Sequence, residues 1–70
     1  DCLFFDGHYW NIVDYKTSDI NQSECKKTAD RYYTQLELYA NALRHEMGAH
    51  TLVKGIIYFS RLGESVDYQL

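Results

Sequence analysis

An apolar helical repeat set between two runs of strand-forming residues constrains the fold of this chain most strongly. From about Thr28 to Met47, apolar side chains recur at steps of three and four residues, which predicts one long helix with a continuous apolar stripe. Thr28 fits the helix N-cap, and Gly48 fits the position that ends the helix. The predicted stripe consists of Ala29, Tyr32, Tyr33, Leu36, Tyr39, Ala40, Leu43 and Met47.

The strand-forming runs on either side of this helix predict the topology of the sheet. Residues 9–15 before the helix and 52–59 after it are rich in β-branched and aromatic side chains. A strand, a long helix and a second apolar strand indicate a crossover connection with parallel pairing. Residues 65–69 form a predicted last strand after a turn, and residues 18–27 a loop or a frayed helix start. With a hairpin at the start, the predicted fold is α/β, in the order β-β-α-β-β, with a mixed sheet.

The predicted hairpin joins residues 2–5 to residues 9–15 around the turn signal Asp6-Gly7. A two-residue turn pairs Phe5 with His8 and sets Asp1 opposite Ile12. A four-residue loop pairs Phe5 with Trp10 and sets Asp1 opposite Asp14. A three-residue loop moves Asp1 to the other face, because a slip of one residue flips every side chain. Both even-numbered loops place the same side chains on one face: Asp1, Leu3, Phe5, Trp10, Ile12, Asp14 and Lys16.

The pair Asp14 and Lys16 is the first candidate for chemistry. Side chains alternate along a strand, so these two project from one face and Tyr15 projects from the other. A carboxylate and an ammonium at the end of a strand can hold a divalent metal and a phosphate. A surface ion pair on an edge strand is the other interpretation of the same three residues.

Composition limits the functions that are open to the chain. Hydrophobic residues at 46% favour a folded core, and the net charge of −3 argues against a stand-alone, charge-driven nucleic-acid binder. The charge does not exclude a nucleic-acid-cleaving site, where metal ions offset local negative charge.

Cys2 and Cys25 do not have zinc-site spacing, and they are either one disulfide or free thiols. Without a signal peptide or a long apolar run, the prediction is a cytoplasmic protein with no membrane partner.

Two motifs carry a resemblance to a known family. The string Val13-Asp14-Tyr15-Lys16-Thr17, with Asp1 thirteen positions before Asp14, resembles the nuclease core of the PD-(D/E)XK superfamily. In particular, it is similar to the RecB-type nuclease domain at the C-terminus of bacterial helicase–nuclease proteins. Residues 32–43 match that family's helix signature Y-x-x-Q-L-x-x-Y-A-x-A-L. The resemblance covers roughly residues 1–60 and implies a partial restriction-endonuclease-like core.

The resemblance implies a role for each residue of the motifs. Asp1 and Asp14 would be ligands of Mg²⁺ or Mn²⁺, with the backbone carbonyl of Tyr15 as a further ligand. Lys16 would position the attacking water and stabilise developing negative charge.

The helix signature implies further roles. Gln35 would point into the active site as a third catalytic residue, and Tyr32 and Tyr39 would contact DNA. A surface glutamine beside packed tyrosines is the alternative interpretation of this helix. No iron–sulfur cluster is predicted, because Cys2 and Cys25 do not have the spacing found in cluster-bearing relatives.

The predicted function is therefore a metal-dependent DNA exonuclease domain of a bacterial helicase–nuclease in DNA repair and recombination. Its expected partners are DNA and the helicase portion of the same polypeptide or complex. Residues 1–70 are expected to be a single fragment of the domain, without the upstream helix and the start of the first strand, and inactive or weakly active alone. The alternatives are an inactive nuclease-like module that binds DNA or scaffolds a helicase, and a small α/β interaction domain.

Overall fold

A computed structural model describes residues 2–17 and 19–70 as one mixed sheet with helices connecting its two central strands. Strand β2 pairs with β3 in parallel, and β1 and β4 pair antiparallel at the edges, in the order β1-β2-β3-β4. The predicted α/β class, element order and parallel crossover are confirmed. The elements are β1 (Cys2–Phe5), β2 (Trp10–Lys16), a short 3₁₀ helix (Gln22–Glu24), α1 (Cys25–Asp30), α2 (Tyr33–Met47), β3 (Val53–Phe59) and β4 (Glu64–Gln69).

The hairpin between β1 and β2 adopts the register of the four-residue loop. Phe5 pairs with Trp10 and Cys2 pairs with Val13, so the two-residue and three-residue alternatives are wrong. Asp1 lies outside the described residues, and so does its predicted position opposite Asp14.

The side chain of Asp6 organises this loop. Its Oδ1 accepts hydrogen bonds from the backbone N–H groups of His8 at 2.9 Å and Tyr9 at 2.7 Å. Its Oδ2 accepts one from Nδ2 of Asn11 at 3.0 Å, which gives that buried amide a partner. These bonds, led by the one from Tyr9, lower the pKa of Asp6 from 3.8 to about 2, because each favours the charged carboxylate.

Acidification is expected to weaken this loop. The pKa of Asp6 in the folded chain is lowered from 3.8 to about 2, so its contribution to stability is complete above pH 3.8 and lost as the pH falls through about 2. The amide NMR signals of His8 and Tyr9 should therefore shift together in that window. In an Asp6→Asn variant, which has no titrating group there, the same transition should be missing. An identical transition in that variant would contradict the assignment to Asp6.

The core lies between the helices and one face of the sheet. Alternate residues of β3 are buried, beginning at Val53 and ending at Phe59, and they pack against Leu36 and Ala40 of α2. A Cβ atom on Gly55 would lie 2.9 Å from Cδ1 of Leu36, so glycine lets the helix approach the sheet closely at this point. Ile12 on the helix-facing side of β2 belongs to the same core.

The predicted single helix over residues 28–47 is wrong in two respects. The helical segment begins at Cys25, so Thr28 lies inside α1 and is not an N-cap. The segment is also divided, because the N–H groups of Arg31 and Tyr32 bond to carbonyls only three residues back, which tightens the backbone. The end at Gly48 is as predicted, with a positive φ of 126°.

The apolar stripe packs only in part. Ala29, Leu36 and Ala40 are buried, but Tyr39 and Met47 are 48% and 54% exposed, so these two are not core residues. The core is centred under β2 and β3, and the outer side of α2 extends past it toward the short strand β1.

Helix α1 is tied to the far edge of the sheet by a polar cluster. The hydroxyl of Tyr68 on β4 donates to Oδ1 of Asp30 at 2.6 Å, and the ammonium of Lys26 lies 2.8 Å from the same oxygen. Burial, together with the bond to Asp30, raises the pKa of Tyr68. The hydrogen bond from Lys26 is the main cause that lowers the pKa of Asp30.

None of the helices in the described ranges is both long enough and apolar enough to cross a membrane.

Candidate active site

The C-terminal end of β2 carries the candidate site. Asp14 and Lys16 lie on the helix-facing side of the sheet, in register with the buried Ile57 and Phe59 of β3. Their side chains form an ion pair with Nζ of Lys16 3.1 Å from Oδ2 of Asp14. The side chains are 22% and 17% exposed, so the pair sits at the margin of the core and is partly shielded from water.

Tyr32 contacts the lysine from the helical side. It stands between α1 and α2, and Nζ of Lys16 lies 3.8 Å from the centroid of its ring. This distance is well inside the range in which an ammonium is attracted by an aromatic face. The ammonium of Lys16 is therefore held by a carboxylate on its own strand and a ring on another element.

Gln35 and Tyr39 complete the site from α2. They lie one helical turn apart, and Nε2 of Gln35 donates a hydrogen bond to the Tyr39 hydroxyl at 3.1 Å. A small pocket of about 20 Å³ lies between this helix and β2, which is room for about one water molecule. Its walls include three of the predicted site residues from the helical side and one from the strand: Tyr32, Gln35, Tyr39 and Asp14.

The backbone of β2 is anchored at this end by Ser60. Its N–H and its hydroxyl both donate to the carbonyl of Lys16, at 3.0 and 3.3 Å. The Lys16 carbonyl thus faces β3. Backbone groups alternate along a strand, so the carbonyl of Tyr15 faces the β1 side, where the described pairing ends at Cys2 and Val13. The ring of Tyr15 lies on the opposite face of the sheet, edge-on to Tyr58 at 5.8 Å.

The donor atoms at this place suit a hard divalent cation. The described residues offer a carboxylate from Asp14, an amide from Gln35 and the carbonyl of Tyr15 on the β1 side of the strand, and Mg²⁺ favours such oxygen donors together with several waters. The Asp14 carboxylate forms an ion pair with a positive group, the ammonium of Lys16. Within residues 2–17 and 19–70, no three histidine, cysteine or acidic side chains cluster as a metal-binding group. Asp1, the other predicted ligand, lies outside those ranges.

A wider groove borders the small pocket. It has a volume of about 450 Å³ and runs between β1 and α2, and it shares Ile12 and Tyr39 with the pocket as walls. Its other lining residues are Cys2, Leu3, Ala42, Leu43 and Glu46. Tyr39, whose side chain is exposed, lines both spaces, so the groove and the pocket adjoin at this residue.

Two contacts at the site were not foreseen from the sequence. The anchoring of Lys16 by Ser60 depends on the register between β2 and β3, although a serine directly after a buried strand is a weak signal of it. The contact between Lys16 and Tyr32 depends on the tight turn between the two helices, for which the apolar repeat contains no signal. The structure thus groups Asp14, Lys16, Tyr32, Gln35 and Tyr39.

The carboxylate–lysine pair lies on a central strand of a mixed sheet, beside a glutamine of the crossover helix, and the fold is that of a partial restriction-endonuclease-like core. Residues 1–66 match the model of the PD-(D/E)XK nuclease superfamily, and the chain belongs to that superfamily.

Curated relatives agree with this assignment. Over 68 residues the chain is 32% identical to proteins named as ATP-dependent helicase/nuclease subunits, from Thermoanaerobacter sp. (strain X514) and Thermoanaerobacter pseudethanolicus (strain ATCC 33223 / 39E). The match covers 97% of this chain but only 5% of the length of either relative. No solved structure matches the chain significantly.

Proposed function

We propose that this chain forms the catalytic centre of a metal-dependent nuclease that hydrolyses phosphodiester bonds in DNA. The observation that carries this proposal is the partly shielded pair of Asp14 and Lys16 beside a pocket of about 20 Å³. A surface ion pair on an edge strand needs no such pocket, and β2 is a central strand. Hydrolysis adds water across one phosphorus–oxygen bond, and the site needs a positive group near the phosphate and a holder for water.

Each residue of the site has a part in this proposal. Asp14 and the Tyr15 carbonyl, with Asp1, would hold Mg²⁺ or Mn²⁺, and the ion supplies charge stabilisation and an activated water when it is bound. Lys16 places its ammonium where negative charge develops on the phosphate. Gln35, oriented by its hydrogen bond to Tyr39, would contact the attacking water or the DNA backbone. The exposed Tyr39 ring would contact DNA from the adjoining groove.

We further propose that the chain works with a helicase and acts as an exonuclease. The support is the similarity to relatives whose names describe helicase/nuclease proteins. A strand delivered by a motor would need little electrostatic attraction to the nuclease surface, which agrees with the net charge of −3. Such an enzyme would serve DNA repair or recombination in the bacterial cytoplasm, with DNA and the helicase portion as its partners.

Titration with Mn²⁺ tests this proposal directly. Paramagnetic broadening of NMR signals should begin at Asp14 and spread to Tyr15 and Gln35, because a bound ion relaxes the nearest nuclei first. Cleavage of end-labelled DNA should require Mn²⁺ or Mg²⁺ and stop with a chelator. It should be measured both in this chain and in the longest natural polypeptide that contains it.

Two results would contradict the proposal in different ways. The absence of localised broadening at millimolar Mn²⁺ in the longer polypeptide would remove the metal site. Localised metal binding and DNA binding without cleavage would instead favour the inactive nuclease-like module. Asp14→Asn, which removes one negative charge from the site, should abolish both broadening and cleavage. The matched control is Asp67→Asn, which makes the same change of charge on the exposed face of β4 and should leave both unchanged.

A further inference from the structure

The Lys16 ammonium has two neighbours of different kinds. Oδ2 of Asp14 lies at 3.1 Å, and the centroid of the Tyr32 ring lies at 3.8 Å. The geometry points to Tyr32 as a positioning residue, whose ring keeps Lys16 in the site when Asp14 turns its charge to a divalent cation. This inference rests on the proposed nuclease function, and it gives Tyr32 a role different from the predicted contact with DNA.

The reason is a competition for one carboxylate. A divalent cation bound to Asp14 would repel the ammonium that now shares that oxygen, because both are positive and close together. The ion pair alone would then release Lys16 to water when the enzyme is loaded with metal. A lysine side chain that leaves its place has many rotamers to explore, and its recovery costs conformational entropy.

The ring of Tyr32 would hold the Lys16 ammonium even when the Asp14 carboxylate binds a divalent cation. Its face attracts an ammonium but is a poor ligand for Mg²⁺, which favours oxygen donors. Tyr32 can therefore hold Lys16 without taking a place in the coordination shell of the metal. The lysine keeps one attachment that is independent of the charge on Asp14.

Tyr32 is itself held in place. Its N–H donates to the carbonyl of Ala29 at 2.9 Å, and its own carbonyl accepts from the N–H of Leu36 at 3.1 Å. Its side chain is half-buried and packs against the core. The break between α1 and α2 thus fixes the ring over β2 before any metal or DNA arrives.

Another lysine of the chain supplies a matched control. The ammonium of Lys54 lies 4.8 Å from the ring of Tyr9, a longer contact of the same type at the opposite end of β2. It is about 20 Å from Lys16 along the strand. A Tyr9→Leu variant therefore removes an ammonium–ring contact without touching the candidate site.

The spectroscopic test follows the Lys16 side chain by NMR in the folded chain. The Hε protons of Lys16 should be shifted upfield by the ring, and the shift should persist when Mg²⁺ is added. Tyr32→Phe should preserve the shift and Tyr32→Leu should remove it, while Tyr9→Leu should leave it unchanged. Loss of the shift on addition of Mg²⁺ to the unmodified chain would overturn the inference, because the ring would then not hold Lys16 in the loaded state.

The kinetic test uses this chain or the longer polypeptide that contains it, whichever cleaves DNA. Tyr32→Leu should lower kcat about tenfold with KM for DNA changed less than about twofold, and Tyr32→Phe should restore the rate. Incorporation of pentafluorophenylalanine at position 32 keeps the shape of the ring and reverses the charge on its face, so it should behave like leucine. A larger effect on KM than on kcat would overturn the inference and favour a DNA contact.

The outcomes separate this inference from the proposed function. If the unmodified protein neither binds metal at Asp14 nor cleaves DNA, the proposed function fails. If it does both but the leucine and phenylalanine variants at position 32 cleave equally well, only the positioning role fails.

Discussion

Replacement of Asp14 by asparagine is expected to lower DNA cleavage by at least about 100-fold. The neutral amide keeps the size of the side chain but loses the charge that would hold a divalent cation, and it leaves the Lys16 ammonium without its ion-pair partner at 3.1 Å. A rate assay under single-turnover conditions, with Mg²⁺ and Mn²⁺ tested separately, measures the effect on the chemical step.

Controls on folding separate a loss of chemistry from a loss of stability. Asp14 is only partly buried, so the variant should keep the circular dichroism spectrum and nearly the melting temperature of the unmodified chain. Asp67→Asn is again the matched control, since it removes one negative charge from the exposed face of the same sheet. Cleavage by the Asp14→Asn variant at a rate near that of the Asp67→Asn control would exclude Asp14 from the reaction.

Truncation of Leu36 to alanine is expected to lower the free energy of unfolding strongly. The side chain is 2% exposed, and its Cδ atoms pack directly over Gly55 of β3. Removal of a buried leucine side chain costs about 2–5 kcal/mol of the free energy of unfolding. In a small domain this is a large share of the total, so the variant should unfold at a much lower urea concentration.

Leu38→Ala on the same helix is the control for that measurement. Leu38 is 63% exposed, so its truncation should change the free energy of unfolding by less than about 0.5 kcal/mol. The two variants have the same change in composition and nearly the same effect on helix propensity. Equal destabilisation by both would mean that α2 does not pack on β3 as described. A urea titration followed by tryptophan fluorescence gives both values.

The class of the fold could be predicted from the sequence because its signals are local. The β-branched and aromatic residues of 9–15 and the apolar run of 52–59 define strands, and a repeat of three and four residues defines the helix between them. A strand–helix–strand unit then implies parallel pairing, since the crossover has few alternatives. The same reasoning placed Asp14 and Lys16 on one face, because alternation in a strand is a property of its backbone.

The parts that were predicted wrongly or left open depend on contacts between distant segments. The apolar repeat continues through Asp30, Arg31 and Tyr32 without a glycine or proline, so nothing in it marks the division into α1 and α2. The exposure of Tyr39 follows from where the core ends, which is a property of the whole sheet. The hairpin register remained open because loops of two or four residues place the same side chains on the same face.

The candidate site also has features that follow from local sequence and features that depend on contacts between distant segments. The sequence by itself determined the residue types of the site and the face of β2 that carries Asp14 and Lys16, because strand alternation and the family motifs are both written into short stretches of chain. Only the tertiary structure decided that Tyr32 covers the ammonium of Lys16, at 3.8 Å, and that Gln35 lines a pocket with Asp14. These contacts join residues of different elements, and they form only when the helices pack across the sheet and bury the core beneath them.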